Sequence, residues 1–216
     1  MAGGVKASNE TYGDPAERHD LHGDEGNDHI WGENGTSYQY IWGGEGSDKL
    51  YGGTDTVVQQ IIYGNSGDDI IHPYGGHLDI RASGGKGNDT INPVTKVDDG
   101  TGMGSYTFTN NAEGNGTNAG VGEKFYGGDG DDTIWGGWEP LNQPVLYKGG
   151  AGNDKLYGAY NLTGMETEDT QTIVGGADKD LINLNFYKDI NAGEDENVGS
   201  TNHWIFGDYG YGPYGD

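Results

Sequence analysis

The stretches GGDGDDTIW at residues 127–135 and GGAGNDKLY at residues 149–157 decide the fold, because their pattern recurs along the chain. Exact matches to Gly-x-x-Gly-x-Asp begin at Gly23, Gly43, Gly64, Gly84, Gly127 and Gly149. A seventh copy, GGADKDLIN, begins at Gly175 and has Asp178 in place of the second glycine. The composition alone predicts about one exact match, so the six matches indicate an internal repeat.

The repeat has the length of one coil of a β-solenoid. Successive copies start 20, 21, 20, 43, 22 and 26 residues apart, and β-prone runs such as QQIIY at 59–63 and VLYK at 145–148 precede them. Ile or Leu follows each exact motif aspartate by two residues, and no long apolar run has helical spacing. We therefore predict an all-β, right-handed parallel β-roll or β-solenoid of about eight to nine coils.

One domain accounts for the whole chain, because no linker divides residues 1–216. Residues 21–92 hold the first four repeats and residues 123–186 the later ones. Residues 93–122 between them are either an insertion or a degenerate coil, since 43 residues span about two periods. Residues 1–20 are expected to form an N-terminal cap or assembly segment. Residues 187–216 are expected to form a loop followed by an aromatic C-terminal cap or assembly segment.

The composition by itself resembles that of a disordered chain. Of 216 residues, 44 are Gly, and 35 acidic residues against 11 basic ones give a formal charge of −24. The absence of Cys excludes disulfides and thiolate sites, and the charge argues against nucleic acid as a partner and for cations. No membrane span or N-terminal signal peptide is recognisable, which leaves a cytoplasmic protein or export by a route without an N-terminal mark.

The repeated turn has the chemistry of a site for a hard cation. Its glycines permit positive φ angles, its backbone carbonyls point inward, and each turn adds one carboxylate, which together favour Ca²⁺ over zinc or copper. Stacked coils would align these carboxylates along one edge, where seven divalent ions would change the formal charge to about −10. The predicted ligands are Asp28, Asp48, Asp69, Asp89, Asp132, Asp154 and Asp180.

The repeats resemble the calcium-binding nonapeptides of the repeats-in-toxin (RTX, haemolysin-type) family, with GGKGNDTIN at 84–92, GGDGDDTIW and GGAGNDKLY matching throughout. The resemblance covers roughly residues 20–183 and implies a calcium-bound parallel β-roll, an extracellular location and export by a type I route. Only one edge keeps the motif here, so calcium ligation is expected at that edge alone. Backbone carbonyls are expected to contribute near Gly23, Gly26, Gly43, Gly46, Gly64, Gly67, Gly84, Gly87, Gly127, Gly130, Gly149, Gly152 and Gly175.

Two further groups of side chains have alternative interpretations. The residues just before the motif aspartates, such as Asn27 and Asn88, are expected to tolerate left-handed backbone. Aromatic residues beside the turns form either a packing ladder or a stripe for stacking carbohydrate. They are Trp31, Tyr51, Tyr63, Tyr126, Trp135 and Tyr157.

The C-terminal stretch HWIFGDYGYGPYGD begins like another repeat but has Gly212 where the aspartate would stand. Its aromatic residues favour an assembly segment over a cap or a type I secretion tail: Trp204, Phe206, Tyr209, Tyr211 and Tyr214. Because repeats fill most of the chain, we expect a non-enzymatic, extracellular, calcium-binding structural protein that folds on Ca²⁺ and self-assembles head to tail into a filament, surface coat or matrix. The alternatives are a polysaccharide-binding accessory module or a small solenoid enzyme acting on polysaccharide.

Overall fold

The computed structural model describes ten stretches of the chain, at 18–32, 38–53, 59–73, 79–92, 94–97, 105–108, 123–136, 145–158, 170–183 and 202–206. Within them no residue is helical, and no helix long and apolar enough to cross a membrane is found. The all-β prediction is confirmed.

Each coil contributes one long and one short strand. The long strands are β1 (Arg18–Glu25), β3 (Tyr38–Glu45), β5 (Gln59–Ser66), β7 (Asp79–Lys86), β11 (Lys124–Asp129), β13 (Val145–Ala151) and β15 (Thr170–Ala177). The short strands are β2 (His29–Trp31), β4 (Lys49–Tyr51), β6 (Ile70–His72), β8 (Thr90–Ile91), β12 (Thr133–Trp135), β14 (Lys155–Tyr157) and β16 (Leu181–Asn183). β17 (Asn202–Phe206) adds an eighth long strand, and β9 (Val94–Val97) pairs antiparallel with β10 (Ser105–Phe108).

The two kinds of strand form two parallel sheets in which sequence-neighbouring coils lie side by side. The long-strand sheet has the order β1-β3-β5-β7-β11-β13-β15-β17, and the short-strand sheet runs from β2 to β16. The described residues thus form seven coils of two strands each and the long strand of an eighth.

The fourth and fifth coils are direct neighbours despite the 43 residues between their motifs. β7 pairs with β11, placing Arg81 opposite Lys124, and β8 pairs with β12, placing Ile91 opposite Ile134. No coil lies between these strands, and β9 and β10 pair with each other in a sheet of their own. Of the two alternatives for residues 93–122, this pairing fits an insertion and not a degenerate coil.

A narrow apolar core fills the space between the sheets. The Ile or Leu two residues after each exact motif aspartate is fully buried, and successive ones are register partners, as Leu50 is with Ile71. Ile41, Ile62 and Phe125 face them from the long strands. Fourteen residues form this core, and burial of one such side chain stabilises the fold by about 2 kcal/mol.

Candidate metal centre

The motif aspartates line the interior of one edge, where each turn enters its short strand. Six of them are at most 4% exposed, a rare environment for a carboxylate that has no basic partner. Asp180, in the last described turn, is partly exposed. The six are Asp28, Asp48, Asp69, Asp89, Asp132 and Asp154.

From the second coil onward, one oxygen of each motif carboxylate is held by the preceding coil. The Asp28 backbone N–H donates to Asp48 Oδ1 at 2.8 Å, and the Asp48 N–H donates to Asp69 Oδ1 at the same distance. The series continues across the insertion, where the Asp89 N–H donates to Asp132 Oδ1 at 2.7 Å. These bonds fix the direction in which the carboxylates point.

The other oxygen, Oδ2, is buried in all six aspartates and accepts no hydrogen bond. It lies in a cradle that only glycine leaves open: a Cβ built on Gly43 would overlap Asp48 Oδ2 and lie 2.8 Å from the Gly64 carbonyl oxygen. The carboxylate of one coil and a carbonyl of the next therefore border the same space. The arrangement repeats at Gly23, Gly64, Gly127 and Gly149.

Electrostatics make this column unfavourable without a cation. Burial raises the pKa of Asp69 to about 7 and that of Asp132 to about 8, and the charges of neighbouring aspartates contribute to both shifts. Burial likewise raises the pKa of Asp89 and of Asp154 to about 6, and that of Asp48 above its usual value. Carboxylates that are costly to ionise alone become favourable ligands when a divalent ion balances them.

The donor set fits a hard cation shared between coils. No group of three or more His, Cys, Asp or Glu side chains converges on one point among the described residues. A cation between two coils would instead be held by a carboxylate Oδ2 and backbone carbonyls, an all-oxygen set that suits Ca²⁺ and not zinc. Ligation by the named aspartates and glycine carbonyls stays a prediction.

The second glycine of each motif has a different place. Gly46 and Gly67 have φ angles of 124° and 116°, and a Cβ on either would overlap the carbonyl oxygen of the equivalent glycine one coil earlier. Gly87, Gly130 and Gly152 repeat this geometry. These carbonyls thus face the space between successive turns. The second glycines do not border the Oδ2 atoms of the motif aspartates, as the first glycines do.

The residues just before the motif aspartates do not have the left-handed backbone that the sequence suggested for them. They do not occur among the described non-glycine residues with positive φ, which are Asp24, Asn65, Asn92 and Asp178. Instead they form a second, exposed hydrogen-bond ladder that runs in the opposite direction, with the Asn88 N–H donating to Asp68 Oδ1 and the Asp131 N–H donating to Asn88 Oδ1, each at 2.8 Å. The recurrence of Asn, Asp and Ser at this position was the available signal.

The opposite edge contains buried amides that sequence reasoning missed. Gln39 and Gln60 are fully buried register partners, and the Gly53 N–H donates to Gln39 Oε1 at 2.8 Å. A Cβ on Gly52 would overlap the Gln60 amide. In these two coils neutral amides therefore occupy the edge opposite the motif aspartates, where no calcium ligation was expected.

The aromatic residues form packing ladders between coils. Trp31 stacks on Tyr51 with centroids 5.6 Å apart, and Trp135 stacks on Tyr157 at 5.3 Å. Of the predicted assembly residues, Trp204 and Phe206 lie in β17, paired with β15. Tyr209, Tyr211 and Tyr214 lie outside the described residues.

Comparison with known families agrees with this geometry. The model of the RTX calcium-binding nonapeptide repeat matches residues 20–36, 40–56, 61–77, 81–92, 122–138 and 147–159. These segments contain the six buried aspartates, whereas Asp180 lies beyond the last of them. Searches of the curated proteins and of the solved structures found no match. Such repeats are typical of secreted, extracellular proteins. The chain carries RTX calcium-binding nonapeptide repeats, motifs that support Ca²⁺ binding at multiple sites.

Proposed function

We propose that this chain is a non-enzymatic, extracellular structural protein whose fold depends on calcium and which assembles head to tail. The observation that carries the first part is the column of six buried aspartates whose Oδ2 atoms have no hydrogen-bond donor. Calcium supplies positive charge between successive coils there. The residues of the chain supply the rest: the bonds to Oδ1 orient the carboxylates, and the glycines leave room beside Oδ2.

Calcium-dependent folding is tested by circular dichroism with and without chelator. We expect a largely disordered chain in chelator and a gain of β-structure on adding calcium, because unbalanced buried carboxylates oppose stacking of the coils. Extracellular calcium modules bind with dissociation constants of about 10⁻⁴–10⁻³ M, so the midpoint should fall in that range. Identical spectra in chelator and in calcium would contradict the proposal.

Head-to-tail assembly is supported by the edges of the two sheets. Within the described strands, β1 and β2 end the sheets at one end, β16 and β17 at the other, and open strand edges promote association. Trp31 is 49% exposed in β2 and Leu181 is 52% exposed in β16, so each end of the short-strand sheet presents apolar surface. A filament, surface coat or matrix is the assembly that repeated contacts of this kind would build.

Assembly is tested by sedimentation velocity and electron microscopy in calcium at several protein concentrations. We expect concentration-dependent polymers for the wild-type chain and their loss in Leu181→Lys, which adds charge at one exposed end. Lys155→Arg, on the neighbouring short strand, is the matched control and should still polymerise. Wild-type monomers at every concentration would refute assembly while leaving calcium-dependent folding intact.

A further inference from the structure

The outer face of the long-strand sheet carries a column of rings that is interrupted in the fourth coil. His22 stacks on Trp42 with centroids 4.4 Å apart and planes inclined by 5°, and Trp42 stacks on Tyr63 at 6.3 Å and 21°. The next register partner of Tyr63 is Ser83, and the partner of Ser83 in the fifth coil is Tyr126. One ring is therefore missing between Tyr63 and Tyr126.

The interruption borders a depression in the surface, whose lining includes Tyr63 and Ser83 and does not include Tyr126. Its volume is about 330 Å³. Tyr63 is 38% exposed beside it. The lining residues are Tyr63, Asn65, Ser83, Gly84, Gly85, Lys86 and Asp129.

The width of the gap suits one ring. Neighbouring strands lie about 4.8 Å apart, so Tyr63 and Tyr126, two coils apart, are separated by roughly 9.6 Å. A ring placed midway would lie about 4.8 Å from each, within the 4.4–6.3 Å spacing that the rings of this column already show. On its other side Tyr126 has Lys148, whose Nζ lies 5.9 Å from the ring centroid. The open position of the column is thus the one at Ser83.

The polar groups around the gap indicate which kind of ring it accepts. The depression beside the gap is lined by residues that carry a hydroxyl, an amide, an ammonium and a carboxylate, namely Ser83, Asn65, Lys86 and Asp129. A ligand must therefore present apolar faces to the two tyrosines and hydrogen-bonding groups around its rim. A pyranose ring has this distribution, whereas an unsubstituted aromatic ring would leave the rim groups without partners. The formal charge of −24 disfavours anionic ligands.

We propose that the gap over Ser83 is a binding subsite for one neutral pyranose unit of a glycan, held between Tyr63 and Tyr126. The subsite is separate from the calcium edge, since the motif aspartates face the interior and this column faces outward. It requires the folded roll, because its two walls come from the third and fifth coils. The inference goes beyond calcium-dependent folding and does not depend on assembly.

Saturation-transfer NMR on the calcium-loaded chain tests the subsite. The probes are the methyl pyranosides of glucose, galactose, mannose and N-acetylglucosamine, with glucuronate and indole as anionic and aromatic comparisons. We expect binding of at least one neutral pyranoside. Tyr63→Ala should weaken it about tenfold by removing one stacking face, and Ser83→Tyr should abolish it by supplying the missing ring. Lys155→Ala, which removes an exposed side chain from the other sheet, should leave binding unchanged.

The calcium midpoint of each variant, measured by circular dichroism, separates loss of the subsite from loss of the fold. Ser83→Tyr should keep the wild-type midpoint, since it extends an existing column of rings. Absence of binding by all four neutral pyranosides, preference for glucuronate, binding of indole alone, or undiminished pyranoside binding by folded Ser83→Tyr would each overturn the proposal.

Discussion

Neighbouring aspartates in the fifth turn have opposite environments. Asp132 is 1% exposed and its Oδ2 has no donor, whereas Asp131 is exposed and its Oδ1 accepts the Asn153 N–H at 2.7 Å. Hydrogen bonds from the Asn153 backbone and side chain hold the pKa of Asp131 below its usual value, while burial raises the pKa of Asp132. The side on which a carboxylate lies, and not its presence in the turn, therefore determines whether it is a candidate calcium ligand.

The substitutions Asp132→Asn and Asp131→Asn test this distinction at adjacent positions. In Asp132→Asn the new amide would keep an oxygen for the Asp89 N–H but would remove the charge facing the next coil, so the calcium midpoint should rise by about threefold to tenfold. In Asp131→Asn the ladder bond in solvent would be kept, so the midpoint should change by less than about twofold. The midpoints are measured by circular dichroism, and equal shifts in the two variants would contradict the assignment.

The raised pKa values predict that acid partly replaces calcium. Folded Asp69 and Asp132 keep their protons up to about pH 7 and pH 8, whereas unfolded aspartates lose theirs near 3.8. Their contribution to the stability of the calcium-free roll is thus fully present below about pH 4 and is lost as pH rises through 7 and 8. His72 acts oppositely, since burial lowers its pKa to about 4, but it is a single group.

The measurement is circular dichroism of protein freed of calcium by a chelating resin. More β-structure is expected at pH 5 than at pH 8, and saturating calcium should abolish this difference. A calcium-free chain with more β-structure at pH 8 would show that the buried carboxylates do not control folding.

At the scale of the single turn, glycine is required for two separable reasons. Gly26 and Gly87 have nearly the same φ, 117° and 121°. A Cβ on Gly26 meets nothing within 4 Å, whereas one on Gly87 would overlap the Gly67 carbonyl oxygen. The first turn has no described turn before it, so it lacks the close approach that the later turns share.

Gly26→Ala and Gly87→Ala therefore separate backbone strain from the close approach of coils. Gly26→Ala should lower the free energy of unfolding by about 1–2 kcal/mol, the cost of a left-handed alanine. Gly87→Ala should cost at least about 2 kcal/mol more, because the fourth coil must also move away from the third. Urea denaturation at one fixed, saturating calcium concentration gives both values, and equal losses would exclude the close approach.

The elements that sequence predicted best are those repeated most often. The short-strand Ile and Leu column and the motif aspartates recur at a fixed offset, so their common inward face followed from one motif. The direct pairing of β7 with β11 did not follow, because 43 residues equal about two periods and spacing alone does not tell an insertion from a coil. The burial of Gln39 and Gln60 was missed because glutamine recurs in only some coils at that position.

At the scale of the whole molecule, we expect the stack of coils to form without residues 93–122. The bond from the Asp89 N–H to Asp132 Oδ1 and the pairing of β8 with β12 join the coils on either side directly. Replacing residues 93–122 by the connection Gly52–Gln59, which joins the short and long strands of neighbouring coils, should preserve the fold. The calcium midpoint should change by less than about twofold, and loss of calcium-induced β-structure would show that the insertion supports the roll.

The same topology predicts how many calcium ions the described coils share. Seven coils enclose six spaces, and each of the six fully buried aspartates belongs to a coil that has another coil after it. Asp180 is in the seventh turn, after which the structure describes no further turn, so the described coils give it no second wall. We therefore expect six bridging ions and not seven, the number of motif aspartates. Six divalent ions would change the formal charge from −24 to −12.

Isothermal titration calorimetry, combined with metal analysis of the dialysed protein, gives this number directly. Because each coil contacts only its neighbours, binding between two coils stabilises the next pair, and the six ions should bind cooperatively. Asp180→Asn should keep all six ions, whereas Asp89→Asn should lose at least one and separate the titration into two phases on either side of the fourth coil. Six independent, identical sites in the wild-type chain, or an undiminished count in Asp89→Asn, would mean that calcium does not link the coils.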